Sequence, residues 1–377
     1  MHKALYGLKQ GARNWYETMR QALEELGFRR TEADHAVFLK TWTDGQRVIL
    51  GAHVDDCMVT GSTRKLVNEF KQKMNKKYKL TDLGPCKWLL GIKIERDLEN
   101  QTISLSQHAY IDSILARFNF EDAKPVSTPM DPNVPLSKAQ SPSKLDDIAK
   151  MRNVPYREAV GSLMYASMGT RPDITFAVST VAQFLENPGI VHWEAVKRIF
   201  RYLKGTRNIS LVYGDKKEDL QGWVDADGAS QDHRRAISGY VFMVDGGAVS
   251  WTSKKQEIVT LSTTEAEYVA ATHAAKEAVW LRRLFGEIFP ASSEINNVTH
   301  LHSDNKSAIA LATGSGQYHA RTKHIDIRYH FIRYIIDAGS IKLVYCPTDD
   351  QTADTLTKAL PSLKVKHFAH AMGLRSL

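Results

Sequence analysis

Four carboxylates, Asp225, Glu267, Asp304 and Asp354, are placed so that strands and helices of one α/β unit would deliver them to a shared point. Several hard oxygen ligands converging in that way suit a pair of divalent cations roughly 4 Å apart, an arrangement that serves phosphodiester hydrolysis. Asp225 ends the run Leu220 to Val224 and Asp304 ends Val298 to Ser303, so both read as strand-end carboxylates on one sheet edge. Glu267 opens a helical pattern whose apolar positions Ala270, Ala271, Ala274, Ala278, Leu281, Phe285 and Ile288 recur at three- and four-residue steps, which places it on the buried stripe. Glu265 falls instead beside Thr272, Lys276 and Arg283, and is expected to face solvent or cap the helix after Ser262-Thr263-Thr264. Asp354 lies in the helical-looking stretch Ala353 to Leu360, behind the strand candidate Ile341 to Cys346.

A second acidic feature, Asp55-Asp56, follows the buried strand candidate Val48 to Val54. Adjacent carboxylates at a hairpin tip repel unless a cation neutralises them, and from a regular strand they would point to opposite faces. A tight turn would relax that constraint. The bland alternative is a type I′ hairpin turn that uses Asp for its tolerance of turn geometry.

The elements that must position these groups fit a chain of 377 residues, long enough for two or three domains. Apolar residues are 43% and charged residues 24%, as in globular proteins with a sizeable core, and the net charge of +8 suits a polyanionic partner. Cys57, Cys86 and Cys346 are far apart and odd in number, which excludes a disulfide framework and common zinc spacings and points to a reducing compartment. No apolar run approaches 18 residues and the first residues lack a signal-peptide core, so neither membrane insertion nor secretion is expected. Trp15 to Leu26 reads as an amphipathic helix closing at Gly27, and Met58 to Thr60 as a returning strand. Pro125, Pro129, Pro132, Pro135, Pro142 and Pro155 mark an irregular exposed linker. Tyr156 to Lys204 is dense in helix patterning, and a mixed sheet flanked by helices follows from Leu220.

Several blocks together carry a family resemblance. They are Lys3-Ala4-Leu5-Tyr6-Gly7-Leu8-Lys9-Gln10 with Arg13, Trp15 and Tyr16, then His53-Val54-Asp55-Asp56, and then Asp82-Leu83-Gly84 with Leu89 to Ile92. Val160 to Tyr165, Thr170 to Ile174, His192-Trp193, Lys197-Arg198 and Arg201 to Thr206 continue the series. Asp225-Ala226-Asp227, Ser250 to Gln256, Thr264 to Tyr268, Ser303 to Asn305, Lys323 to Asp326 and Ala353 to Leu360 complete it. In this order, over nearly the whole chain, they resemble the reverse transcriptase and RNase H regions of copia-type LTR retrotransposon Pol polyproteins.

The resemblance implies an α+β protein in which a truncated reverse-transcriptase palm and thumb precede a connection segment and an α/β RNase H-like domain with a mixed five-stranded sheet. The expected boundaries are a partial reverse transcriptase at 1–124, a Pro-rich linker at 125–155, a helical connection at 156–218, the RNase H-like domain at 219–362 and a tail at 363–377. The implied activity is hydrolysis of the RNA strand of RNA–DNA hybrids by two Mg2+ ions, with Mn2+ as a substitute, on Asp225, Glu267, Asp304 and Asp354. Implied partners are the hybrid, template RNA and nascent DNA, together with other proteins of the element, in the cytoplasm with access to the nucleus. The alternative is a non-catalytic nucleic-acid-binding remnant or an inactive transposon-derived product. Asp55 and Asp56 match the polymerase's metal-binding pair. His53 stands where the family usually has Tyr, Gly11-Ala12 where a small residue and Pro are common, and Gly228 where Trp is preferred after Asp227.

Asp227 shares a strand face with Asp225, as either a second-rank ligand or a strand-end hydrogen-bonding group. His324 is expected to cap a helix or contact phosphate, and His302 to be structural. Arg64-Lys65, Lys71 to Lys79 and Lys197 to Arg207 are candidate phosphate contacts or solvated helix faces. Trp15, Tyr16, Trp193 and Tyr202 are expected in the core. The family carries a further metal-binding Asp upstream of Leu5-Tyr6-Gly7, so this chain by itself is expected to give little or no primer extension on a primed RNA template, a result that efficient DNA synthesis by the purified protein would overturn.

Overall fold

The computed structural model describes residues 8–227, 235–290, 297–314 and 331–376; Lys323 to Asp326, with His324, and Gly228 lie outside them. The chain divides into two compact units, one of Met1–Cys86 with Val279–Asn297, the other of Lys87–Ala278 with Val298–Leu377. It is mixed α+β, and among the described residues no helix is long and apolar enough to cross a membrane.

In the first unit, β1 (Arg29–Arg30), β2 (Val37–Thr41), β3 (Arg47–His53) and β4 (Asp56–Gly61) form an antiparallel sheet in that order. Strand alternation buries Val48 and Leu50 of β3 against Phe38, and against Leu23 of α1 (Lys9–Glu25) and Phe70 and Met74 of α2 (Arg64–Lys77). Helix α1 begins six residues before Trp15 and stops where Gly27 turns left-handed at φ +82°. Trp15 is 38% exposed and so is not a core residue; its indole N–H donates to the Val54 carbonyl at 2.8 Å. Helix α2 starts on Thr63, whose hydroxyl accepts from the Leu66 N–H. The last turns of α8 (Thr263–Ile288) are held in this unit: Glu287 accepts from the Glu32 and Ala33 N–H groups, and Arg47 donates to the Ile288 carbonyl at 2.6 Å.

The second unit contains two five-stranded sheets. One is antiparallel, built from β5 (Trp88–Leu89), β6 (Ile92–Asp97), β7 (Thr102–Ser106), β8 (Ile209–Tyr213) and β14 (Leu374–Ser376) in the order β14-β8-β7-β6-β5. The other is mixed: β9 (Gln221–Asp227), β10 (Ile237–Val244), β11 (Gly247–Lys255), β12 (Thr299–Ser303) and β13 (Ile341–Tyr345), in the order β11-β10-β9-β12-β13. Strand β9 is the pivot, antiparallel to β10 and parallel to β12. Helices α3 (His108–Arg117), α4 (Leu145–Met151), α5 (Tyr156–Gly169), α6 (Thr175–Ala182) and α7 (Ile190–Gly205) precede β8. Helices α9 (Lys306–Thr313), α10 (Phe331–Asp337) and α11 (Ser362–Ala371) follow β12.

This weave departs from the boundaries expected at 124, 155, 218 and 362. Strands from 88–106, 209–213 and 374–376 pair in one sheet, so the division falls at Cys86/Lys87 and the expected tail supplies α11 and β14. The Pro-rich stretch is largely exposed, as expected of a linker, but one part of it packs. Thr128 and Met130 are buried, Met130 belongs to the helical core, and Arg198 donates to the Thr128 hydroxyl at 2.8 Å. Proline fixes φ, so an extended segment rich in it loses less entropy on packing.

That helical core encloses one fully buried ion pair. Arg171 grips Asp173 through two hydrogen bonds of 2.9 and 2.7 Å, the Tyr202 hydroxyl donates to Asp173 at 2.7 Å, and Arg171 also donates to the Thr206 hydroxyl and carbonyl at 2.6 and 3.1 Å. The pair joins the turn before α6 to α7. Asp173→Ala would leave the guanidinium buried without its charge partner, and chemical denaturation is expected to show a loss of about 3–5 kcal/mol.

Candidate active site

Several contacts bring the acidic residues of the second unit together. Asp225 sits inside β9, not at its end, and is only 3% exposed. Its neighbour across the ladder is Gly239 of β10. A Cβ there would come within 2.8 Å of Leu356 and Thr357, so glycine is what lets the 3₁₀ turn Thr352–Leu356 lie against the sheet. Buried Gln351 fastens that turn by donating to the Val224 carbonyl at 3.0 Å, and Asp354 is thereby buried at the sheet.

Glu267 is held by the start of α8. The Ser262 hydroxyl accepts from the Glu265 N–H at 3.2 Å, and the Glu265 carboxylate accepts from the Leu261 N–H at 2.7 Å, a reciprocal cap. Glu265 is therefore a buried capping group rather than a solvent-facing one. Buried Gln256 donates to the Ala266 carbonyl at 2.8 Å and to the Ser238 hydroxyl at 2.9 Å, which ties this helix start to β10. Asp304 follows β12 directly. Its carboxylate accepts from the Thr348 hydroxyl at 2.8 Å, while Asn305 caps α9 through the Ala308 N–H at 2.9 Å.

The outcome is a cluster in which ligand oxygens of Asp225, Glu267 and Asp304 lie within 4.8 Å of one another. Glu267 Oε2 is buried with no hydrogen-bond partner. A buried carboxylate oxygen left in that state is costly unless something electropositive meets it, so the donor set fits a hard divalent cation. Asp354 stands beside the three rather than among them. Lys358 Nζ lies 2.9 Å from Asp354 Oδ1 and 3.8 Å from Asp225 Oδ2, and the Thr357 hydroxyl donates to Asp225 Oδ2.

Other sequence-selected residues fall elsewhere. Asp55 and Asp56 are exposed in the first unit, at a two-residue turn where His53 pairs with Asp56, and no group of three or more such ligands among the described residues includes them. The turn is not type I′, because Val54 alone of its two central residues has a positive φ, at 54°. Asp227 is half-buried at the end of β9, and half-buried His302 stacks on Trp223 at 4.9 Å. Several cations of the basic stretches are engaged internally: Lys71 with Asp82, Lys77 with Glu25, Lys197 with Glu194 and Arg207 with Asp112.

Comparison with known proteins places the chain. Residues 1–132 match the family model described as reverse transcriptase (RNA-dependent DNA polymerase). The whole chain is 43% identical to the Pol polyprotein of transposon TNT 1-94 from Nicotiana tabacum, covering 28% of that relative. It is 36% identical to the Pol polyprotein of transposon RE1 from Arabidopsis thaliana, covering 25% of it. A transposon Ty5-1 protein of Saccharomyces cerevisiae is 33% identical over 280 residues, which are 74% of this chain and 88% of that protein. The chain belongs to the copia-type retrotransposon Pol family. It spans about a quarter of the length of the Pol polyproteins it matches. Among solved structures, LC11-RNase H1, isolated from compost, aligns at 15% identity and TM-score 0.29 over 37% of this chain and 92% of that one.

Two residues of this copia-type Pol segment that the sequence reading did not single out, Thr357 and Lys358, touch the acidic cluster. The signal available was the i,i+4 spacing of Asp354 and Lys358 in a stretch read as helical. Burial, reinforced by the charges of Asp225 and Asp304, pushes the Glu267 carboxyl up to about 10. Burial also raises Asp225 and Asp354, although Lys358 opposes it at both. A carboxyl raised on folding stabilises the fold fully below its unfolded value, and that contribution is lost as pH climbs toward the folded value. Without cations, the native state should therefore weaken between about pH 4.5 and 10 on account of Glu267. Glu267→Gln, measured by thermal unfolding in EDTA, is expected to be more stable than wild type by about 1–3 kcal/mol at pH 8, with the gain fading by about pH 5.

Proposed function

We propose that the second unit hydrolyses the RNA strand of RNA–DNA hybrids, with two divalent ions, Mg2+ or Mn2+, held by Asp225, Glu267, Asp304 and Asp354. Bound there, the ions would supply activation of water and stabilisation of the leaving oxygen. The observation that carries this reading is the buried, unpartnered Glu267 Oε2 within a cluster of three carboxylates spanning 4.8 Å. Thr357 orients Asp225 by its hydrogen bond, and Thr348 steadies half-buried Asp304. The net charge of +8 favours a polyanion, and 2′-hydroxyls distinguish the RNA strand from DNA.

In this reading residues 219–362 supply the nuclease, while the reverse transcriptase match at 1–132 supports Asp55 and Asp56 as part of the polymerase's metal-binding set, acting on template RNA and nascent DNA. Assembly with other proteins of the same element belongs to this reading.

Purified protein with Mg2+ is expected to cut the RNA of a labelled hybrid and to leave single-stranded RNA intact. Removing one carboxylate charge about 4 Å from a cation is worth on the order of 4 kcal/mol at an effective dielectric of 20. Asp304→Asn should therefore slow cleavage by about 100- to 1,000-fold. Hybrid that is bound but never cut would instead support a non-catalytic binding role.

A further inference from the structure

The Lys358 side chain is 36% exposed, while the two carboxylates it meets, Asp225 and Asp354, are 4% and 2% exposed at their side chains. Its ammonium lies between them, 2.9 Å from one and 3.8 Å from the other. The stem rises from the residue after Thr357, whose hydroxyl is already committed to Asp225, so the turn that brings Asp354 in brings this cation with it. Three features thus coincide: two buried acids, a cation shared by both, and an exposed route by which that cation can move out.

We propose that Lys358 is a built-in counter-cation of the acidic site, which neutralises Asp225 and Asp354 when no divalent ion is bound and is displaced when one binds. It rests on the divalent site proposed above and assigns a regulator of that site. The lysine is a positioning residue, and its consequence is a trade-off: it holds the cation-free acids together and weakens divalent binding by competing for the same oxygens. A unit positive charge this close repels an incoming cation appreciably even in a partly solvated setting.

The test uses the full chain without nucleic acid and compares wild type, Lys358→Met, Lys358→Arg and Asp225→Asn. In calorimetric titrations with Mn2+, Lys358→Met is expected to bind about 10-fold more tightly than wild type. Its thermal midpoint in EDTA should fall, and Lys358→Arg, which keeps the charge, should restore values near wild type for both. A second measurement needs no variant at Lys358: acylation of the wild-type lysine by an activated acetate ester, followed by mass spectrometry, should accelerate when Mn2+ is added, and should not in Asp225→Asn. If Mn2+ binding is lost in Asp225→Asn yet Lys358→Met binds no more tightly than wild type, or if Mn2+ leaves acylation of Lys358 unchanged, the counter-cation role is wrong while the divalent site stands. If Asp225→Asn does not weaken Mn2+ binding, the divalent site falls and this role falls with it.

Discussion

Buried carboxylates cannot all stay ionised beside one another without a positive partner, and the second unit is organised around that constraint. Asp225, Glu267, Asp304 and Asp354 come from a strand interior, a helix start, the residue after a strand and a 3₁₀ turn, and side-chain hydrogen bonds tie these elements together. Gln256 ties α8 to β10, Gln351 ties the turn to β9, and Thr348 holds Asp304. Electrostatic repulsion is therefore opposed both by neutral latches distributed over the sheet and by the acids' own contacts with Thr357, Thr348 and Lys358. Such preorganisation leaves Glu267 with an unsatisfied oxygen, a state a fold sustains only where its surroundings overdetermine it.

The helical core solves a related problem differently. Arg171 and Asp173 are buried, as Asp225, Glu267 and Asp354 are, yet every strong group there has a partner within the chain: the guanidinium meets the carboxylate and Thr206, and the carboxylate also meets Tyr202. Satisfied internally, the pair serves to fix α6 against α7. The unsatisfied cluster at β9 is the one poised for a ligand. The contrast separates structural from functional burial of charge on physical grounds: the pair sets a cation against its carboxylate, whereas the cluster brings three carboxylates together.

Basic charge shows a comparable division. The excess of Lys and Arg over Asp and Glu is real, but Lys71, Lys77, Lys197, Arg198 and Arg201 are engaged by nearby carboxylates, hydroxyls or carbonyls of the same unit. Runs of basic residues along a helix therefore overstate the charge available to phosphates, because i,i+3 partners and crossing loops claim part of it.

By itself the sequence determined the acids, the alternation of strands with a long helix, and the family, because these depend on local periodicity and on ordered blocks of residues. Asp304 at the end of its strand and Glu267 on the buried stripe were legible for that reason. What only tertiary structure decided was how strands distant in sequence pair: residues 374–376 joining 209–213 turned an expected tail into a sheet edge, and Met130 of the Pro-rich stretch entered a core. It also decided that Asp354 stands beside three converging acids with Lys358 between it and Asp225. Such placements depend on the packing of β10 against the 3₁₀ turn through Gly239, a contact over more than a hundred residues that no local pattern encodes.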